Sequence, residues 1–166
     1  KFMNAASSLA LFPTVQDNFS NYENLEMSVK INLKPLITKE MTNKISQNDS
    51  LWGMMFFPYT GDQRFNGGSS IFEIEYDELN KMFTESGEIA KWYTDSEGKM
   101  TFVSKATHSG TGKFLGNIMV APKPDAIDKV FDRFDLGQDV EVLVLTDEGR
   151  IIYSVRRSIQ KAVHIP

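Results

Sequence analysis

The chain has 166 residues, a formal net charge of −4 and no cysteine, so disulfides, thiolate metal sites and cysteine nucleophiles are excluded. Its 41% hydrophobic and 24% charged residues are typical of one folded domain and argue against disorder. Acidic and basic residues are interspersed, which argues against nucleic-acid binding, and no apolar run is long enough to span a membrane.

The first third of the chain predicts helices, because apolar residues from Phe2 to Ile45 recur at spacings of three and four. Pro13 and Pro35 each remove an amide donor and disfavour helix at the preceding residue. Kinks or breaks are therefore expected near both prolines. This helical lead-in is placed at residues 1–47 and ends in a polar loop.

From residue 51 to residue 155 the pattern predicts a sheet-rich core. Apolar residues follow the two-residue period of strands, and glycine or aspartate marks the turns between them. A short helix is expected at residues 77–83. The first predicted strands span residues 52–58, 71–76, 89–93 and 100–103, with Gly61, Gly67 and Gly68 assigned to the loop between the first two.

The stretch from Gly112 to Ser154 fits a strand, helix, strand, turn, strand unit. Its first strand runs through residues 114–121 and is ended by Pro122 and Pro124. Both faces of this strand are apolar, which is expected of a sheet covered on both sides. One face is predicted to carry Phe114, Gly116, Ile118 and Val120, and the other Leu115, Met119 and Ala121.

A helix is predicted next, with Asp125 as its N-cap and Gly137 after its end. Strands at residues 140–145 and 151–153 follow it. The turn that joins them contains Gly149. These two strands are therefore expected to be antiparallel neighbours.

Helices followed by antiparallel hairpins, with one helix inserted, predict an α+β fold in which the N-terminal helices pack on one face of a sheet. The alternating strand and helix order of a parallel sheet is missing. We expect a single domain over residues 1–166 with about five or more strands. Because the chain begins with Lys1 and stops soon after a strand, we also expect it to be part of a longer protein.

Residues that commonly carry catalysis or bind metals give no coherent pattern. The segment Gly110-Thr111-Gly112-Lys113 resembles the end of a phosphate-binding loop, but Thr107 and Phe114 stand where that loop needs a glycine and a hydroxyl residue. His108 and His164 lack metal-binding spacing, and the carboxylates are too scattered to nominate a general acid and base. We therefore predict no catalytic residue, no metal site and no cofactor.

Aromatic residues concentrate in two predicted strands, one around Phe56 and one at Trp92 and Tyr93. Adjacent strand residues point to opposite faces, so one of Trp92 and Tyr93 should enter the core while the other faces a loop or pocket. Most such aromatics simply fill a core; the alternative is a sheet face that stays partly open and frames a small-molecule pocket, where Lys105 or Arg64 would meet an anionic group. The candidate ligand-binding residues are Trp92, Tyr93, Lys105, Tyr59, Phe56, Arg64 and His108.

Several loose patterns together resemble a known family. They are a tryptophan-tyrosine pair, a strand that begins with glycine, a helix that begins at an Asp-Ala step, and a hairpin whose turn holds Asp and Gly-Arg-Ile. In this sequence they stand at Trp92-Tyr93, Gly116 to Val120, Asp125-Ala126-Ile127 and Leu143 to Ile152, and Ala5 to Val15 is similar to the helix that leads from the membrane into such domains. The chain thus resembles the Cache class of PAS-like sensor domains.

That resemblance implies a PAS-like antiparallel sheet and an extracytoplasmic location, periplasmic or extracellular, in a membrane-anchored receptor such as a histidine kinase or chemoreceptor. The domain would bind a small-molecule signal and transmit a conformational change through its N-terminal helix and C-terminal strand. A homodimer formed through the N-terminal helices is also expected. The alternatives are an ectodomain that dimerises or binds a protein without a ligand, and a small hydrolase or transferase.

Two positions depart from the amino-acid-binding members of that class. An aspartate usually follows the glycine-containing strand there and receives the ligand's ammonium group, whereas this chain has Ala121. An arginine usually precedes the aromatic pair and holds the carboxylate, whereas here Lys91 precedes Trp92. The ligand is therefore left open between a carboxylate, another small metabolite and no small ligand.

Overall fold

The computed structural model describes residues 1–69, 72, 74–95, 98–131, 140–145, 149 and 151–157. In this part of the chain, helices come first and are followed by antiparallel strands with a helix inserted between them. The helices are α1 (Phe2–Ala10), α2 (Pro13–Phe19), a 3-10 turn (Tyr22–Asn24), α3 (Met27–Ser46), α4 (Tyr76–Ser86) and α5 (Asp128–Phe131). The strands are β1 (Leu51–Pro58), β2 (Phe65–Gly68), β3 (Ala90–Thr94), β4 (Met100–Thr107), β5 (Phe114–Pro122), β6 (Val140–Leu145) and β7 (Ile151–Arg157).

The main sheet has five strands in the order β2-β1-β5-β4-β3, and every neighbouring pair is antiparallel. The first and last strands of this sheet, β1 and β5, therefore lie side by side at its centre. This arrangement confirms the predicted α+β class with N-terminal helices and a five-stranded antiparallel sheet. The strands β6 and β7 form a separate two-stranded antiparallel sheet, which confirms their predicted pairing.

The N-terminal helices cover one face of the five-stranded sheet. Their apolar residues, among them Leu9, Phe19 and Ile37, are fully buried together with Phe56 and Ile118 of the central strands. The ring of Phe19 meets the ring of Phe56 edge-on, with 4.8 Å between their centroids. This helix-side core is the larger of the two apolar clusters in the described residues.

A second cluster covers part of the opposite face. Helix α4 places Leu79 and Phe83 against Phe57, Val103 and Met119 of the sheet. Every residue of β5 from Leu115 to Pro122 is buried, as expected of a central strand with both faces covered.

Leu115 is the exception to the predicted alternation along β5. It was assigned to the face of Met119, but it packs with Ile118 in the helix-side core. The register between β4 and β5 shifts here, because Thr107 pairs with Phe114 while Ala106 pairs with Gly116. The extra residue at this β-bulge turns its side chain to the other face.

The break near Pro13 is observed, and the one near Pro35 is not. Pro13 stands in the first turn of α2, where the absent amide leaves no hydrogen bond unmade. Pro35 lies inside α3, and the helix continues through it to Ser46. Pro35 and Ile31 are exposed, so water can bond the carbonyl of Ile31 that the missing amide leaves free.

The second predicted strand was misplaced. Phe72 and Ile74 are buried but belong to no strand, and Tyr76 begins α4. The paired strand is β2, which includes Gly67 and Gly68. Glycine stands at 67 because β2 lies directly against α3, where a Cβ would come within 2.5 Å of the Met41 Cβ. Close packing therefore explains glycines that had indicated a loop.

Helix α5 begins three residues after Asp125, whose carbonyl accepts the Lys129 amide proton at 3.1 Å. The Asp125 carboxylate pairs with the Lys129 ammonium group at 2.7 Å and lies outside the helix that it was predicted to cap. The predicted end of this helix and Gly137 fall outside the described residues. None of the described helices has both the length and the apolar character needed to cross a bilayer.

Candidate ligand-binding site

A cavity of about 570 Å³ lies on the sheet face opposite the N-terminal helices, at the end where β3 ends and β4 begins. Its volume is that of a site for a small organic molecule. Strand residues form the floor, and the segments that lead into α4 and α5 form the walls. The lining consists of Trp52, Ser69, Phe72, Ile74, Tyr93, Asp95, Gly98, Lys99, Met100, Thr101, Met119, Ala121, Pro122, Lys123, Pro124 and Ile127.

A row of mostly small residues crosses the sheet at the cavity, and Tyr93, Thr101 and Ala121 of this row line it. Tyr93 of β3 pairs with Thr101 of β4, and Ala121 of β5 pairs with Gly53 of β1, which pairs with Gly68 of β2. Three of these five residues have at most one side-chain carbon. Large side chains such as Phe57 and Met119 stand further along the same face, where α4 packs on them.

Trp52 forms the rim of the cavity on the β1 side. The register between β1 and β5 shifts between Leu51 and Gly53, so Trp52 stands at an irregularity rather than in the regular alternation. Its side chain is 42% exposed while it also lines the cavity. An indole that is half in water and half in a pocket can cover an apolar ligand.

Tyr93 links the cavity to helix α4. Its phenol donates a hydrogen bond to Oε1 of Glu78 at 3.2 Å. Burial raises the pKa of the Tyr93 phenol, and the nearby Glu78 carboxylate raises it further. The phenol therefore stays protonated over the physiological range and keeps donating to α4.

The charged side chains of the lining stand at the end of the sheet. Lys99 directly precedes β4, and Lys123 directly follows β5. Asp95 closes the turn after β3: its Oδ1 accepts the Lys99 amide proton at 2.9 Å, and its own amide donates to the Lys99 carbonyl at 3.1 Å. The carboxylate of Asp95 therefore has a structural role in holding Lys99.

Of the seven residues proposed from the sequence, Tyr93 is the one that lines this cavity. Its neighbour Trp92 points to the other face, where its ring meets Phe2 at 5.3 Å and Phe102 at 5.5 Å. The two aromatics thus separate as the strand period requires, although Trp92 stays 41% exposed at the edge of the core. Phe56 is fully buried beneath the N-terminal helices.

Arg64 and Lys105 lie on the cavity side of the sheet but away from the cavity. Lys105 holds its ammonium group 5.2 Å from the centre of the Phe83 ring, beside α4. The guanidinium of Arg64 lies 4.9 Å from the centre of the Phe57 ring and pairs with Glu75 at 3.3 Å. Arg64 also lines a smaller cleft of about 380 Å³ against α3.

Tyr59 and His108 are placed at the opposite end of the sheet. The Tyr59 carbonyl accepts a hydrogen bond from the Tyr76 hydroxyl. Nδ1 of His108 accepts the amide protons of Gly110 and Thr111 at 3.2 Å each, which shapes the turn between β4 and β5. The seven proposed residues are therefore distributed over both faces and both ends of the sheet.

The segment that resembled a phosphate-binding loop is this same turn. The ammonium group of Lys113 donates to the carbonyl of Ser20 and lies 5.5 Å from the centre of the Tyr59 ring, so it joins the turn to the N-terminal helices. In the part of the chain that the structure describes, no group of three or more acidic or histidine side chains could hold a metal ion.

The lining residues that sequence reasoning missed include Trp52, Thr101, Lys99 and Lys123. The alternation along β4 and β5 contained part of the signal, because Thr101 and Ala121 share the parity of the face that carries Met119. Lys99 and Lys123 lie just outside their strands. Only the pairing of β4 with β5 brings them to one place.

No protein-family model and no curated protein sequence matches this chain. Among solved structures, it is similar to the ligand-binding domain of the Campylobacter jejuni chemoreceptor Tlp3 in complex with 4-methylisoleucine, with a TM-score of 0.51 and 10% identity over 92% of this chain. It is also similar to the sensory domain of the same receptor with isoleucine bound, with a TM-score of 0.51 and 12% identity over 92% of this chain. This chain spans 68% and 60% of the lengths of those two chains.

Similarity at this level of identity establishes the fold. The resemblance to PAS-like sensor domains that the sequence indicated is thus confirmed for the fold.

Proposed function

We propose that this chain is the ligand-binding sensor domain of a membrane-anchored signalling receptor and works outside the cytoplasm. The observation that carries this proposal is the cavity of about 570 Å³ on one face of a sheet that is folded as in a chemoreceptor sensory domain. The two similar Tlp3 structures hold isoleucine or 4-methylisoleucine, which supports a ligand of the size of a small metabolite. The output domain of the receptor would lie outside this chain.

The walls of the cavity indicate how binding could be transmitted. Phe72 and Ile74 precede α4, and Pro124 and Ile127 precede α5 and the β6–β7 hairpin. A ligand between these segments would contact both and favour the conformation in which they close on it. Binding would then shift the equilibrium between two conformations of the segments beyond the cavity. The difference between the ligand's affinities for the two conformations sets the size of this shift.

We propose no enzymatic activity for this domain. The only acidic side chain in the described lining is Asp95, which is engaged in its turn. General acid and base catalysis usually needs a titratable group placed against the reacting atoms.

The experiment is a thermal-shift screen of the purified domain against carboxylates, amino acids, amines and sugars. A ligand that binds the folded state raises its melting temperature in proportion to the logarithm of its concentration. The variant Ala121→Phe fills the floor of the cavity and is expected to abolish the shift. Lys39→Phe, at an exposed position on α3, is the matched control and should keep it.

A flat response to all four classes would contradict the sensor proposal. A shift that survives Ala121→Phe would place the ligand elsewhere. The flat response would favour an ectodomain that dimerises or binds a protein without a ligand.

We also propose that the N-terminal helices form a homodimer contact. Met27 and Ile31 stand one turn apart on α3 and are 68% and 64% exposed, and Leu36 is 50% exposed. Exposed apolar groups on one helix are typical of an interaction surface. In sedimentation analysis, Ile31→Glu should weaken self-association while Lys39→Glu should not; a wild-type domain that is monomeric at high concentration would contradict the dimer.

A further inference from the structure

Two lysines of the cavity meet at the same end of the sheet. Strands β4 and β5 are antiparallel, with Phe102 opposite Val120. Lys99 stands three residues before Phe102, and Lys123 stands three residues after Val120. Both have the strand parity of the cavity face, and both line the cavity. Neighbouring strands therefore bring these two lysine residues to one end of the same pocket.

Among the residues that the structure describes, the lining contains two lysines and one aspartate, which is a formal charge of +1. Asp95 accepts the main-chain amide proton of Lys99. Lys123 interacts electrostatically with the exposed carboxylate of Asp125, which itself pairs with Lys129 at 2.7 Å. A bound anion would offset this positive charge.

Thr101 adds a hydrogen-bond donor beside the lysines. It stands two residues from Lys99 on the same face, and its residue is only 8% exposed. Its hydroxyl makes no hydrogen bond to any residue in the described part of the chain. A hydroxyl in the cavity lining can donate a hydrogen bond to a polar atom of a ligand.

Most of the other described lining residues are apolar. Trp52, Phe72, Ile74, Met100 and Met119 line the cavity with rings and aliphatic chains. Such surfaces favour a hydrocarbon group and offer little to the hydroxyls of a sugar.

We propose that the cavity binds an apolar monocarboxylate, whose carboxylate lies between Lys99, Lys123 and the Thr101 hydroxyl and whose hydrocarbon tail covers Met119 and Trp52. This proposal rests on the proposed sensor function and names its ligand class. A free amino acid fits less well, because the floor residues Thr101 and Ala121 carry no negative charge for its ammonium group, and the two lysines repel that group.

Matched probes test the charge requirement by isothermal titration calorimetry. The compound 4-methylpentanoate is leucine without its ammonium group, and 3-methylbutylamine is leucine without its carboxylate. Straight-chain carboxylates from butanoate to octanoate and phenylacetate extend the series in size. We expect one or more carboxylates to bind at least about tenfold more tightly than leucine, and the amine not to bind.

Variants test the assigned residues. Lys123→Met keeps the aliphatic stem and removes the charge, and it should weaken carboxylate binding by about ten- to a hundredfold, as loss of a charged hydrogen bond does. Lys39→Met, exposed on α3, should leave affinity unchanged. Lys123→Glu should reverse the preference, so that 3-methylbutylamine binds more tightly than 4-methylpentanoate. Each variant is first checked for a wild-type unfolding transition.

The outcomes separate this inference from the sensor function. Tighter binding of leucine or the amine to the wild type, or carboxylate affinity that Lys123→Met leaves unchanged, would overturn the ligand class and leave the sensor function standing. Absence of carboxylate binding while sugars or another class raise the melting temperature would do the same. A flat response to every class would overturn both.

Discussion

At Gly116 the main chains of β5 and β1 are too close for any side chain. A Cβ on this residue would lie 2.3 Å from the Phe57 carbonyl oxygen and 2.8 Å from the Pro58 Cα. The φ angle of Gly116 is +149°, in a region that side chains rarely adopt. The obstacle is main chain rather than a flexible side chain, so it cannot move aside without disturbing the central strand pair.

We therefore expect Gly116→Ala to lower the free energy of unfolding by about 3 kcal/mol, because overpacking and backbone strain act together. Gly112→Ala is the matched control: its φ is +69°, but no atom lies within 4 Å of the new Cβ. Strain alone should cost about 1 kcal/mol there. Urea unfolding measures both; equal losses would mean that β1 moves away from Gly116 at little cost.

At the level of the element, α3 shows how tertiary packing can keep a helix continuous through a proline. Proline inside a helix removes a hydrogen bond and crowds the carbonyl four residues before it. Leu33, Ile37 and Met41 bury one stripe of α3 against the sheet on both sides of Pro35. The gain from burying that stripe holds the helix together where propensity alone would end it.

Pro35→Ala should raise the free energy of unfolding by about 2 kcal/mol, because the alanine amide can donate a hydrogen bond to the Ile31 carbonyl and position 35 is exposed. Lys34→Ala, at the neighbouring exposed position, should change it by less than about 0.5 kcal/mol. Denaturant unfolding of the two variants is the measurement. Loss of stability in Pro35→Ala would show that α3 needs the bend that proline imposes.

For the whole molecule, one buried amide joins the helical layer to the sheet. The Gln16 Nε2 donates to the Ala10 carbonyl at 2.6 Å and to the Thr107 carbonyl at 3.0 Å. Its Oε1 accepts the Ser109 amide proton at 2.7 Å. Gln16 thus connects the junction of α1 and α2 with the turn between β4 and β5, about 90 residues further along the chain.

Gln16→Ala should lower the free energy of unfolding by about 3 kcal/mol, because it leaves buried main-chain groups of both layers without partners. Asn18→Ala, which removes one local bond to the Thr14 carbonyl, should cost about 1 kcal/mol. Hydrogen exchange gives an independent measure, since the Ser109 amide should lose protection only in Gln16→Ala. Unchanged protection of Ser109 would mean that the Gln16 side chain does not hold this turn against the helices.

The sequence by itself determined the kinds of elements, the α+β class and the two apolar faces of β5, because helix and strand periods are local and survive in a list of residues. It also placed Trp92 and Tyr93 on opposite faces, since that follows from the strand period alone. Tertiary structure decided which side chains share a cavity. The order of strands and their bulges separate Phe56, Lys105 and His108 from Tyr93. The β4–β5 register brings Lys99 and Lys123 to one end of the cavity. Those relations depend on contacts between distant segments, and no local period encodes them.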